Sequence, residues 1–267
     1  MHSFRHLFLA SLLGSFFIAT SRAGTLDWDT VTWTAGSLSN SYDIDAARPG
    51  NDITVTISGN TTQFRPETVA PNPLTPAVTM DFEGGFGTAE NALCLAVDLA
   101  NQSQSVTVTV DFSAAYSLGA QNVSFTLFDV DFSAASGSNY QDFLSGITAL
   151  STDGTTLVAP TITTSANNTL TGTDLTQAVT GIVSTADSGP GSGNGNVTIT
   201  FGATAIRSFT FTYGSGSGTA ADPTYQHVGI GDITFTPVPE INPAWGAFGS
   251  CLVAAALILR HSAKFRK

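Results

Sequence analysis

Lysine is missing from this 267-residue chain until position 264, histidine occurs four times and cysteine only twice. Charged residues make up 11% of the sequence, against about 25% in an ordinary soluble domain. Each shortage removes a class of chemistry. Before position 264 no lysine can form a Schiff base or reach into a phosphate-cradling loop. The sequence also holds no Gly-x-Ser-x-Gly elbow and no histidine cluster for zinc. His227, the sole histidine between the two ends, reads as a hydrogen-bonded strand residue. Cys94 lies in the apolar run from Ala92 to Val97 and Cys251 in an apolar segment near the C-terminus, so we expect no disulfide and read Cys94 as a small buried hydrophobe.

The charge that is present is one-sided. All twenty acidic residues fall between Asp27 and Glu240, where they face only Arg48, Arg65 and Arg207, a net charge of −17. Such a segment repels phosphate backbones and anionic membrane surfaces, which excludes nucleic acid as a partner. Divalent cations and basic partners stay compatible with it, and the acid also keeps an exported protein soluble.

Long apolar runs occur only at the two ends. Arg5 and His6 precede the apolar run from Leu7 to Ala19, followed by Thr20-Ser21-Arg22-Ala23. A positive start, a core too short to span a bilayer and small residues at Ser21 and Ala23 predict a secretory signal peptide, residues 1–23, cleaved after Ala23. At the other end, residues 237–267 read as a sorting and anchor segment. Pro237-Val238-Pro239-Glu240-Ile241-Asn242-Pro243 precedes an uncharged, mostly apolar stretch, 244–259, and Arg260, Lys264, Arg266 and Lys267 close the chain. Sixteen residues at 1.5 Å each cover about 24 Å, enough for a transmembrane helix if neighbouring residues and tilt contribute, and the basic tail marks its cytoplasmic side.

The Val238-Pro239-Glu240 motif, single hydrophobic helix and short basic end resemble the PEP-CTERM sorting tail of Gram-negative surface proteins, with Ile241 where a second proline would stand. The resemblance covers about 30 residues. It implies recognition and processing by an exosortase, a membrane-embedded cysteine transpeptidase. An ordinary membrane anchor that is never processed is the alternative.

Between the ends, residues 24–236 alternate with period two. Ile53-Thr54-Val55-Thr56-Ile57, Val106 to Val110, Val123 to Leu127, Val197 to Phe201 and Phe209 to Tyr213 each place apolar residues on one face and Thr or Ser on the other. Threonine suits the outward face because its β-branch favours extended backbone while its hydroxyl meets water. Weaker strands are expected at Val31 to Trp33, Val78 to Phe82, Leu93 to Leu99, Phe143 to Leu150, Val158 to Thr163, Gln177 to Val183 and Val228 to Phe235. No segment here shows helical periodicity. The expected architecture is an all-β, antiparallel β-sandwich of jelly-roll type, flanked by the signal helix and the transmembrane helix.

The most suggestive polar feature is Phe128-Asp129-Val130-Asp131-Phe132, followed by a Ser/Gly/Asn loop and Asp142. Residues two apart on a strand share a face, so the pair can close on one cation. The parity is odd, however: Val123, Phe125 and Leu127 would share that face, and two buried, unpaired carboxylates are costly. Either the strand leaves the sandwich near Leu127 or something positive neutralises the acids. A structural calcium held by Asp129, Asp131, Asp142 and loop carbonyls is one reading, and solvated acids at the rim are the other. An EF-hand is excluded, since Ala134 and Tyr140 stand where Gly and Glu are required.

These observations predict an exported, C-terminally anchored protein of the Gram-negative envelope, with an adhesive or structural role and no catalysis. The expected partners are the membrane, an exosortase-like enzyme and an extracellular polysaccharide. A carbohydrate-binding module is the alternative function. Glycoside hydrolysis, which needs two placed carboxylates such as Glu83 or Glu90 with an Asp, ranks below it.

Overall fold

Threonine alternating with valine, isoleucine or phenylalanine leaves a strand with one face that must be buried and one that need not be. The computed structural model follows that rule throughout. It describes residues 22–46, 50–67, 72–79, 84–86, 90–112, 114–135, 138–182 and 192–239. The expected signal helix, the apolar stretch 244–259 and Glu240 lie outside the described residues. Among the described residues no helix is long and apolar enough to cross a membrane.

In chain order the strands are β1 (Gly24–Leu26), β2 (Ser39–Tyr42), β3 (Ile53–Gly59), β4 (Ala77–Thr79), β5 (Ala92–Val97), β6 (Ser105–Asp111), β7 (Ala120–Phe128), β8 (Phe132–Ala135), β9 (Ser138–Ser151), β10 (Leu157–Val158), β11 (Thr161–Thr164), β12 (Asn168–Thr171), β13 (Ala178–Gly181), β14 (Val197–Phe201), β15 (Ile206–Ser215), β16 (Gln226–Ile230) and β17 (Ile233–Pro237). Two single-turn 3₁₀ segments, Thr61–Gln63 and Asp174–Thr176, are the helical content of the described residues. All strand pairs are antiparallel. In one layer β7 pairs with β14, which carries β11, and on its other side with β17 and β16, which carry β1 and β5; β5 in turn carries β4. The second layer runs β2-β3-β6-β15-β9-β13-β12, with β8 and β10 also on β9. The layers join where Ile206 pairs with Ala120.

Phenylalanine fills the space between them. Phe125 of the first layer stacks on Phe209 of the second at 4.6 Å between ring centroids, Phe201 lies 5.7 Å from Phe209, and Phe112 lies 4.9 Å from Phe235. Offset aromatic pairs add about 0.5–1.5 kcal/mol each beyond the area they bury. The outward threonines do more than meet water. Thr126 bonds to Thr198 at 3.1 Å and Thr107 to Thr212 at 3.0 Å, so cross-strand hydroxyl pairs line the outer faces.

Some strands differ from expectation. Val31 to Trp33 is not a strand: the segment turns, and Trp33 meets the buried Trp28 edge-on at 6.3 Å, closing one end of the core. Val158 to Thr163 divides at Pro160, which has no N–H for the ladder. Val228 to Phe235 divides at Gly231-Asp232, between β16 and β17. The Phe128 ring packs against this bend, where a Cβ at Gly231 would stand 2.8 Å from it. Strand β5 is buried on both faces: Leu93, Leu95 and Val97 face the main core, while Ala92, Cys94 and Ala96 pack with Phe128 in a second small cluster.

Candidate functional site

The outward face of β5 and β16 is built from small residues. His227 lies opposite Ala96, and Gly229 opposite Cys94. That leaves room above the sheet for polar side chains from three other places in the chain. Strand β7 ends at Phe128, and Asp129 takes a left-handed conformation, φ +64°, which aspartate tolerates better than most residues. The turn resolves the parity conflict seen in the sequence: Val130 returns to the core while the Asp129 carboxylate swings to the imidazole. His227 Nε2–H donates to Asp129 Oδ2 at 2.6 Å, and Nδ1 stands 3.8 Å from Glu67 Oε1. Glu67, buried, also accepts from the Cys94 thiol at 2.8 Å and from the Tyr225 hydroxyl at 3.4 Å.

The electrostatics follow from that clamp. Burial is the largest influence on His227 and favours its neutral form, but the hydrogen bond to Asp129 and the charges of Asp129 and Glu67 together outweigh it and push its pKa up to about 10. The ring is therefore a cation at neutral pH. A general base must be free to accept a proton there, and this imidazole is not. Cys94 donates its proton to a carboxylate, an arrangement that keeps it a thiol rather than a nucleophilic thiolate.

Asp131 and Asp142 lie in the same neighbourhood but turn to other donors. Asp142, fully buried on β9, accepts from the Tyr213 hydroxyl at 2.6 Å and from the Asp131 backbone N–H at 3.0 Å. Burial, with the Asp131 carboxylate beside it, raises its pKa well above the usual carboxylate range. Asp131 bonds to the side chain of Tyr140, whose own pKa is raised by burial and the surrounding acids. The three sequence-selected aspartates thus share one region, with Asp129 facing His227, Asp131 facing Tyr140 and Asp142 facing Tyr213. Among the described residues no group of three or more His, Cys, Asp or Glu side chains is arranged to hold a metal ion. Of the terminal sites, Ala23 is exposed just before β1, Val238 donates its N–H to the Gly119 carbonyl at 2.9 Å, and Pro239 is exposed.

A second polar region escaped the sequence reading. An open cleft of about 250 Å³ lies along β7 and the bend between β16 and β17, lined by Phe86, Phe128, Glu90, Asp232, Thr126 and Thr234 among others. Glu90 and Asp232 both line it, and the Glu90 charge acts on Asp232. Asp232 Oδ1 accepts from the Trp28 N–H at 2.9 Å. Burial, and then the charges of Asp27, Glu90 and Asp29, push the pKa of Asp232 up to about 6, the Trp28 bond opposing them. Burial and the charges of Asp29 and Asp27 likewise raise Glu90. Of this region the sequence offered Glu90 as a candidate carboxylate, while Gly231 and Asp232 fell inside an expected strand.

No protein-family model and no curated protein sequence matches the chain. Among solved structures it is similar to a family 11 carbohydrate-binding module from Clostridium thermocellum, in complex with a β-1,3-1,4-mixed-linked tetrasaccharide. The TM-score is 0.31 at 11% identity, over 82% of this chain and 98% of the module. It is also similar to the N-terminal domain of a Streptococcus gordonii adhesin, with a TM-score of 0.29 at 8% identity, over 70% of this chain and 42% of that one. At these scores neither likeness bears on function.

Proposed function

We propose that the protein is an exported, C-terminally held component of the cell surface or extracellular matrix, a jelly-roll-like sandwich that acts by presence and adhesion rather than turnover. The observation that carries the non-catalytic part is the commitment of His227, held as a cation between Asp129 and Glu67. The export part rests on the signal-like start and the PEP-CTERM-like end, and in this reading an exosortase-like enzyme processes the tail.

Cell fractionation with a C-terminal tag tests the reading. We expect the body at the surface or in the matrix, with the tag removed from the mature form. A tag retained on the surface form would replace exosortase processing with simple anchoring, and an intact chain in the soluble cytosol would overturn the proposal.

A second reading, recognition of an extracellular polysaccharide, is favoured by one observation: the exposed Phe86 ring stands beside hydroxyls and carboxylates in the cleft. Glycoside hydrolysis ranks below it, since it needs two carboxyls placed to flank a bond at about 5–9.5 Å.

A further inference from the structure

We infer that the cleft over β7 is a subsite for one neutral pyranose ring of a glycan, with Phe86 as its apolar wall and Glu90, Asp232, Thr126 and Thr234 as hydroxyl partners. The inference rests on the polysaccharide reading and deepens it. Phe86 is 58% exposed, the most exposed aromatic ring among the described residues, in a body that buries Phe112, Phe125, Phe201, Phe209, Phe211 and Phe235. Leaving such a ring partly in water forgoes burial that would favour folding. The ring stands edge-on to Phe128 at 5.8 Å and 77°. Phe128 packs closely in turn on Gly84 and Gly231, where a Cβ would come within 2.5 Å and 2.8 Å of its ring.

The chemistry of the lining selects the ligand. An aromatic wall suits the C–H face of a sugar ring. Carboxylates accept from sugar hydroxyls, and threonine hydroxyls both donate and accept. Among the described residues no Lys, Arg or His lines the cleft, and the charges of Asp27 and Asp29 act on Asp232, which disfavours phosphorylated, sulfated and uronic acid ligands. A volume of about 250 Å³ lies below the usual 300–1,000 Å³ of a pocket for a drug-sized molecule and suits one ring, while the open form lets a chain continue past it. A metal ion is not favoured, because among the described residues no three acids are arranged to hold one. The carboxyl oxygens of Glu90 and Asp232 supply acceptor lone pairs for a neutral ligand.

The test is calorimetric titration of the full chain in mild detergent with cellotetraose and with mannotetraose, alongside spermidine. At least one neutral tetrasaccharide should bind, Phe86→Ala should weaken it at least tenfold, Glu90→Gln should weaken it severalfold, and Phe86→Tyr should retain it. Phe86→Leu, which keeps bulk and loses the aromatic face, separates loss of stacking from any loss of fold and should also weaken binding at least tenfold. Absence of binding by both sugars at millimolar concentration, binding unchanged in Phe86→Ala, or binding of spermidine alone would each overturn the subsite. Any of these results with the body still found at the surface would leave the surface role standing and remove only this site.

Discussion

At the scale of single residues, the unusual decision is to bury Glu67, Asp131 and Asp142 in a chain so short of cations. One imidazole, three phenols and a thiol carry the load. Breaking a buried ion pair on one side leaves an uncompensated charge, which costs about 3–5 kcal/mol. His227→Ala strands Glu67, whose side chain is 1% exposed, as well as Asp129, and we expect it to lower unfolding stability in urea by about 3 kcal/mol. Adding Glu67→Gln, which removes the stranded charge and keeps the shape, should recover part of that loss; no recovery would mean that Glu67 is not the group His227 neutralises. Tyr213 and Asp142 show the same economy, since a phenol donor lets a carboxyl sit in the core without a full counter-charge.

At the scale of elements, the period-two pattern was sufficient wherever one strand face meets one core. Val106 to Val110 and Val197 to Phe201 form strands where expected, with every second residue buried. It was insufficient where a side chain from elsewhere decides the backbone. Val228 to Phe235 reads as one strand, yet the Phe128 ring of β7 needs the space at Gly231. Since Gly231 is not among the residues with positive φ, the constraint is steric. Gly231→Val should therefore destabilise by about 2 kcal/mol, the cost of overpacking, and displace Phe128 from the cleft. Urea denaturation together with loss of sugar binding in a still-folded variant would show both effects; a variant as stable as the parent would argue against the clash. Trp33 illustrates the opposite case, an apolar segment whose burial was legible while its conformation was not. Two indole rings meeting at the end of a sandwich need a turn, not an extended strand.

At the scale of the whole molecule, the titrating groups act in one direction over most of the pH range. His227 has a folded pKa of about 10 against 6.5 unfolded, so its contribution is complete below about pH 6.5 and lost as pH rises through 10. Asp232, about 6 against 3.8, contributes fully below pH 3.8 and loses that contribution as pH passes 6, and Asp142 is shifted upward from the same unfolded value. Self-repulsion in a segment of net charge −17 adds to the trend. Among the described residues Asp153 alone is clearly depressed, by hydrogen bonds from Thr156 and Thr155, so its contribution is present above pH 3.8 and lost in stronger acid. We expect the melting temperature to peak in mild acid, near pH 4–5, and to fall from there to pH 10. A calorimetric series with its maximum at pH 8 or above would contradict these shifts.

The amino-acid sequence by itself determined the all-β class, the inward and outward faces of the strong strands, and the conflict posed by Asp129 and Asp131. Those are local consequences of side-chain period and desolvation, readable from neighbours along the chain. Only the tertiary structure decided how the conflict is settled: Asp129 turns to His227 from a distant strand, Glu67 reaches the same ring from a loop more than 150 residues earlier in the chain, and Glu90 meets Asp232 beside Phe86. No periodicity encodes such meetings, because they depend on which strands pair in the closed sandwich and on where small residues such as Ala96 and Gly229 leave room above the sheet.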